Sequence, residues 1–510
     1  MNRPMHKLMA AAASLCGLLP ALTLAQNVGQ GGPNALPNLE LAAKTSDALP
    51  KSRDALFDDD DMTSSPSSAP SAPATPAPGK KESLFLDDQP AAAPAKPATT
   101  AATDSGKFSG IKGFAENVMA YTLPRPSHWS EMMFRTDLSA QGDLGSGVKW
   151  KLGARADFDA TYSLTDHYPS AVADNQRFNL MLRENYLDIG AGDWDFRLGR
   201  QHVIWGEMVG LLFADVVSAR DMRQFLLPEF EILRIPQWAA RAEYFKDDFH
   251  AELLWIPVAS YDEIGKPGAE FFNYTLPVPA GVATVYRNEQ RPSRRLSNSN
   301  YGLRLSLLKN GWDVAAFAYH SLSVAPTFYR EIVSSPQPTA IFQARHDRIT
   351  QYGMTLGKDL GPVVLKAEAV YTDGMNYQVK DPNDVDGVVA QKTLNWAVGL
   401  DYTEIADTRF NVQFFQSHFF NHSPDIIQDK NENGYSLLAN RKFGDKVEAQ
   451  VLYIASLNRS DWLLRPRMTW NFEKNWRFAV GADIFHGPPL GFFGRYDRSD
   501  RVYTELRYSF

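Results

Sequence analysis

The sequence predicts an all-β fold, a transmembrane antiparallel β-barrel of about eighteen strands, and three observations carry that expectation. From Gly110 to the last residue, successive segments alternate apolar with polar side chains, as in Leu152, Ala154, Ala156, Phe158 and Ala160 against Lys151, Arg155, Asp157 and Asp159. Short breaks such as Gly192-Asp193, Asp247-Asp248, Asn310-Gly311 and Lys474-Asn475 alternate with long ones such as His202 to Gln237 and Ser260 to Ser299. The last segment, Arg501 to Phe510, sets Val502, Thr504, Leu506, Tyr508 and the terminal Phe510 at every second position. An apolar outer face, a polar lumen and short turns confined to one side require this pattern, with an even number of strands when both ends lie on that side. Eighteen segments are counted, sixteen being the nearest alternative. The fourth, Phe178 to Ile189, loses its alternation around Arg183-Glu184, where a bulge is expected.

Taken in order, the chain opens with Arg3 and Lys7 ahead of an apolar run from Leu8 to Leu24, with Thr23 and Ala25 placed as at a signal-peptidase site. A signal peptide over 1–25 is expected, and with it export. Leu15 stands before Cys16 where a lipoprotein would need a small residue. Cys16 is the single cysteine of the sequence, so the mature chain has neither disulfides nor thiol chemistry. Residues 26–107 are Ala, Pro, Ser, Thr and acid, too poor in apolar matter to offset the entropy of ordering, and read as a disordered periplasmic leader. Two islands, 55–61 (ALFDDDD) and 83–88 (SLFLDD), set a Leu-Phe pair against an acid run. Either they dock a periplasmic partner or they are chance enrichment in a biased linker. The barrel itself is expected over 108–510, and no other stretch offers the ~20 apolar residues of a spanning helix. A net charge of −7, part of it in one acidic tract, gives nucleic-acid binding no support.

On the expected lumen face, candidate pore-lining residues are Arg155, Asp157, Arg197, Arg241, Glu243, Arg304, Lys366, Glu368, Arg465, Arg467, Arg477 and Arg507. Most read as cross-strand ion pairs that support the wall. Arg465, Arg467, Arg477 and Arg507, on the last three strands, form a basic strip that would favour anionic solutes. The histidines lie mostly in or near loops and pair with no serine at a recognisable spacing, so no enzymatic activity is expected. Asp429, Asn431, Asn433 and Gly434 match the opening of a calcium loop, but its twelfth position is Asn440 rather than Glu, and Asp381, Asn383, Asp384 and Asp386 form an acidic turn of similar character. Solvated loops are the expectation at both, with no metal and no cofactor.

The stretch from Trp194 to Trp238 breaks the pattern. Trp194, Phe196 and Leu198 alternate as a strand, then helix-like apolar spacing follows, with a helix start expected at Ser218 ahead of Asp221, Met222, Phe225 and Leu226. Loops 202–237 and 258–299 are too apolar for exposure to water. They are expected either to fold inward as a constriction or to close over the mouth as a lid. Candidate constriction residues are Arg200, Gln201, Trp205, Phe213, Asp215, Asp221, Arg223, Phe225, Phe230, Arg234 and Trp238.

The elements Leu198-Gly199-Arg200-Gln201, Trp205-Gly206, Asp215-Val216-Val217, Arg234-Ile235-Pro236 and Leu254-Trp255-Ile256-Pro257 resemble a proteobacterial outer-membrane barrel family known as domain of unknown function 1302. Their Gly-Arg-Gln element is also similar to one in alginate-export barrels. The resemblance implies a Gram-negative outer-membrane location and passage of organic, hydrophobic molecules, with no substrate specified; the balanced lumen charge departs from the basic lumen of a polyanion exporter. The C-terminal segment resembles the signal that hands such barrels to their assembly machinery, with Phe510 as its last residue. The functional expectation is a porin-like channel for small organic solutes, hydrophobic or anionic, embedded in outer-membrane lipid. The alternative is a non-transporting barrel that anchors a periplasmic complex.

Overall fold

Alternation along the chain and closure of its ladder define the architecture in the computed structural model, which describes residues 108–206, 208, 213–334 and 336–510. The expected signal peptide, the leader and its two islands lie outside the described residues. The strands are β1 (Phe108–Thr122), β2 (His128–Gly145), β3 (Val148–Asp159), β4 in two halves (Phe178–Leu182 and Asn185–Ala191), β5 (Trp194–Gln201), β6 (Gln237–Lys246), β7 (Phe249–Val258), β8 (Asn300–Lys309) and β9 (Trp312–Leu322). There follow β10 (Arg348–Asp359), β11 (Val363–Gln378), β12 (Val388–Tyr402), β13 (Thr408–Phe420), β14 (Asn431–Phe443), β15 (Val447–Ser456), β16 (Trp462–Glu473), β17 (Trp476–His486) and β18 (Arg501–Ser509). Each pairs antiparallel with the next, and β18 returns to β1 through pairs from Phe114↔Ser509 to Thr122↔Arg501, which closes the barrel. Nineteen segments join the sheet, and counting the two halves of β4 as one span leaves eighteen strands. Among the described residues no helix is long and apolar enough to cross a membrane.

The break in β4 falls where the alternation fails. Ala154 pairs with Leu182 and Lys151 with Tyr186, so three residues of β4, Arg183 to Asn185, face two of β3. That is a bulge. Asn185 repairs the ladder, its Nδ2 donating to the Gly153 carbonyl at 2.8 Å. The bulge also leaves Arg183 free to project inward.

The outer face is apolar, with Leu138, Leu152, Leu198, Leu253, Leu303, Met354, Val412, Leu437 and Val480 exposed. Aromatic pairs edge both ends of that band: Phe108–Trp150, Trp194–Tyr244 and Trp476–Tyr508 at the short-turn end, Tyr121–Trp129, Tyr371–Phe420 and Tyr453–Trp462 at the long-loop end. A band with two girdles is the surface of a transmembrane barrel. At this strand number the wall side chains alone leave the interior open. The main buried apolar cluster lies inside the barrel, where residues of the segment 202–237 meet inward side chains of the wall.

Over its described residues that segment is not one continuous helix. It holds a three-residue turn of 3-10 helix (Met222–Gln224), one short helix (Phe230–Leu233) and a two-residue ribbon of Ala219–Arg220 against Arg234–Ile235. Ser218 starts no helix; its hydroxyl donates to the Val203 carbonyl and to Asp215. The helix-like spacing arises because the apolar residues meet a wall that surrounds the segment, so no single face had to be selected.

The second long loop behaves differently. Ala283–Tyr286 joins a three-stranded sheet with Thr339–Arg345 and Thr327–Val333 from the loop between β9 and β10. Elsewhere it reaches Gln378 of β11 through Leu276, Arg495 of the β17–β18 loop through Asn273, and His128 of β2 through Glu270. Those anchors lie around the long-loop rim, so this loop spans the mouth as a lid. The loop between β11 and β12 is shorter than the break from Asp373 to Gln391 implied, because both strands extend beyond the barrel wall to Gln378 and from Val388.

Candidate functional site

The site begins at the roots of the inserted segment. Gly199 has φ +132°, and a Cβ there would lie 2.3 Å from the Asn185 carbonyl, so only glycine fits this point of β5. Two residues on, Gln201 pairs with Gln237 across β5 and β6. The Gln201 amide donates to the carbonyls of Arg197 and Ala239, and that of Gln237 to Val217 and Ser260. Both roots are thus held by side chains that can satisfy strand and loop together.

From there the segment is bound to the wall on several sides. On β3 and β4, Arg155 donates to the Ile232 carbonyl at 2.6 Å and Arg183 to the Arg234 carbonyl at 2.7 Å. On β7, Glu252 accepts from the Trp205 indole at 3.1 Å. On β11, Glu368 accepts from the backbone N–H groups of Met208 and Ala214. On β16, Arg465 donates to the carbonyls of Leu226 and Leu227. Glu229 lies 3.0 Å from Arg467, 2.9 Å from Arg477 and 3.1 Å from Arg507, one guanidinium each from β16, β17 and β18. Between these polar anchors Phe317, Val370, Ala397, Phe415, Leu438, Leu452 and Ile454 of β9 and β11–β15 share its apolar cluster. A segment with only short pieces of secondary structure is thereby seated by the wall, several of its backbone groups satisfied by charged wall residues.

Within the segment, Asp215 accepts from Ser218 and Arg234, and Asp221 is chelated by Arg223. Arg234 lies 4.8 Å over the Phe230 ring. Phe225, at φ +52°, stacks among Phe271 of the lid, Phe485 of β17, and Phe492, Phe493 and Tyr496 of the β17–β18 loop. Plug, lid and rim therefore meet at one ring. Two small cavities lie beside the described part of the plug, one of about 30 Å3 against β2–β4 near Arg135, Asp157 and Arg223, and one of about 60 Å3 near the rim between Phe415, Arg459 and Phe493.

The structure draws most of the candidates together, with two exceptions. Gln201, Trp205, Phe213, Asp215, Asp221, Arg223, Phe225, Phe230 and Arg234 all belong to the inserted segment or its root. Arg200 and Trp238 do not line it. They pair with each other on the outer face, since Arg197 and Gln201 take the inward positions, and the two-residue period that carries Leu198 outward carries Arg200 outward too. The wall candidates are ion-paired: Arg155 with Asp157, Arg197 with Asp188, Arg241 with Glu243, Lys366 with Asp401, and Arg465 with Asp483. Arg304 stands opposite Glu252 in the ladder. The basic strip is not a free one, since Glu229 and Glu505 sit among Arg467 and Arg477, and Glu116 and Glu229 hold Arg507.

Residues missed at the level of sequence are Glu229 and Arg183, neither of which the pattern separates from ordinary loop and wall charges. The barrel register also makes a pairing that sequence spacing did not: His250 Nδ1 lies 3.1 Å from Ser306 Oγ, and its Nε2 3.2 Å from Glu243. Ser306 is buried and Glu243 also holds Arg241 at 2.6 Å, so the trio serves as a cross-strand network in the wall. The calcium-like residues are otherwise engaged: Asp429 pairs with Arg459, Asn431 and Asn433 lie in β14, and Asp381 and Asp384 accept backbone N–H groups of their own turn. Among the described residues no group of His, Cys, Asp and Glu is arranged to hold a metal ion.

Residues 130–510 match the family described as "Protein of unknown function (DUF1302)". No curated protein matches the chain. Solved structures to which it is similar include OccAB4 of Acinetobacter baumannii, 8% identical over 80% of this chain and 98% of that one, with a TM-score of 0.47. OccK8 (OprE) of Pseudomonas aeruginosa is 11% identical over 78% and 97%, with a TM-score of 0.46. OmpF of Salmonella typhi, solved in complex with daunomycin, is 11% identical over 80% and 98%, with a TM-score of 0.40. The barrel architecture itself rests on the closed ladder described above.

Proposed function

We propose, for a chain that belongs to the DUF1302 family of proteins of unknown function, the role of a porin-like channel of a bacterial outer membrane. It passes small organic solutes, hydrophobic or anionic, under the control of the segment 202–237. One observation carries this reading: an eighteen-strand wall is occupied by a single segment seated through charged side chains rather than merged into the wall. A permanently closed barrel has no need of so wide a wall. A segment with an apolar cluster on several sides and ion pairs at its base offers both chemistries a solute must match, and anionic solutes are favoured once Glu229 leaves the arginines. Outer-membrane lipid surrounds the apolar band, and Phe510 is the residue through which the barrel is handed to its assembly machinery.

Deleting 207–233 and joining the roots with a short polar linker tests the reading. Liposome swelling with sugars and amino acids should accelerate strongly, and antibiotic entry into cells should rise. Unchanged permeability would sink the constriction. The second reading, a non-transporting barrel that anchors a partner complex, is favoured by the lid that closes over the plug. It predicts no solute uptake in either the intact or the shortened barrel.

A further inference from the structure

We propose that the outer face of the barrel carries a binding site for a phosphate-bearing lipid headgroup at the long-loop end of β5–β7. A cleft of about 580 Å3 lies there, bounded by Arg200, Trp238 and Val258 of the wall and by Glu263, Arg291 and Arg294 of the lid loop. Arg200, Trp238 and Val258 form one row across three strands, since Arg200 pairs with Trp238 and Trp238 with Val258. Next to that row, toward the membrane, come Leu198, Trp255 and Tyr301, which are 44%, 40% and 52% exposed and belong to the apolar band. The row is therefore the step from apolar band to polar loops. A cation on the lipid face is costly at the bilayer centre and nearly free at that boundary.

The charges of the cleft are unequal. Arg291 is held by Glu263 at 3.2 Å and Glu289 at 2.9 Å, with Glu289 also facing His346 at 2.8 Å, so the Arg291 charge is fully countered. Arg200 is different: its Nε is buried and, among the described residues, bonds to no acceptor. Arg294 stands exposed on the rim, followed by Arg295 and by Leu296, whose exposure is 70%. Two guanidiniums thus face a cleft whose lower wall is apolar, a combination that matches a compact, multiply charged oxyanion attached to acyl chains. The volume separates the sources of that oxyanion, because it is far larger than one phosphate ion and suits a headgroup. The site rests on the transmembrane reading of the barrel and is independent of what the lumen passes.

The test uses the full-length protein in dodecyl maltoside micelles, with native mass spectrometry as the readout. Phosphatidic acid should be retained and diacylglycerol not, and excess inorganic phosphate should fail to displace the lipid. Arg200→Gln and Arg294→Gln should each weaken retention about tenfold, the weight of one hydrogen bond to a charged group. Arg177→Gln, in an exposed loop elsewhere, should leave it unchanged. Equal retention of phosphatidic acid and diacylglycerol would overturn the site, as would wild-type retention in both variants. Displacement by inorganic phosphate at equal concentration would overturn the lipid and leave a free-anion site. Arg294→Gln lies in a surface loop, so the test stands even where Arg200→Gln assembles poorly, and no arm depends on conduction.

Discussion

Glu229 is one carboxylate among three guanidiniums, with Arg467, Arg477 and Arg507 all within 3.1 Å. Removing one partner of a buried charge cluster is much worse than never having had it, because the charges left behind stay desolvated. Glu505 and Glu116 still hold part of the strip, so the loss at Glu229 is a partial one. Glu229→Gln should weaken the seat of the plug by about 2–4 kcal/mol and leave net positive charge at the base of the lumen. Bilayer recordings should then show more frequent openings and a reversal potential shifted toward anion selectivity; an unchanged reversal potential would refute the link between this carboxylate and selectivity. A second residue acts by absence. A Cβ on Gly302 would lie 2.6 Å from the Trp205 ring, which is packed between β8 and the rings of Phe317 and Tyr319. Gly302→Val should displace that indole from Glu252 and destabilise the folded barrel by about 1–3 kcal/mol, read as a lower temperature for the shift in gel mobility on heating.

Among elements, the lid has its own latch. Glu270 accepts from His128 at 2.9 Å and from the Tyr168 hydroxyl at 3.0 Å, and His128 stacks on His167 at 3.7 Å. Burial works to raise the Glu270 carboxyl, but hydrogen bonds from His128, Ser499 and Tyr168 outweigh it and hold the group below its ordinary value of 4.5. A carboxyl depressed in the folded state contributes stability that is fully present above its unfolded pKa and is lost as the pH falls through the folded one. The latch should therefore hold at neutral pH and release progressively below about 4.5. Cleavage within the lid by pepsin, which works at acid pH, reports that release directly. Glu270→Gln should cleave readily throughout that acid range; a variant as protected as wild type would mean that the lid is held by its sheet alone. The bulge in β4 shows the same economy of means, since one extra residue aims Arg183 at the Arg234 carbonyl and would be lost with its deletion.

For the whole molecule, what could be read in advance was whatever has a period. Leu152 to Ala160 and Val502 to Phe510 alternate because each strand has one wet and one dry face, and the failure of alternation at Arg183-Glu184 marked a true bulge. Inside the barrel that logic stops. Phe213, Phe225 and Phe230 are surrounded rather than sided, so their spacing imitates a helix, and the counter-ion of the basic strip, Glu229, lies more than two hundred residues before it. Arg200 and Trp238 were misplaced because a motif suggests importance but not a face. Whether the plug moves follows from how it is held, and the absence of cysteine after Cys16 makes that measurable. The rings of Phe213 in the plug and Phe415 on β13 lie 6.2 Å apart. In Phe213→Cys/Phe415→Cys, the loss of two core rings loosens the plug, and a short-spaced bis-thiol reagent then ties it back to the wall. The untreated variant should conduct more than wild type, and cross-linking should return conductance to the wild-type level or below. If bridging leaves conductance unchanged, solutes do not pass where the plug sits, and the path runs elsewhere in the barrel or does not exist.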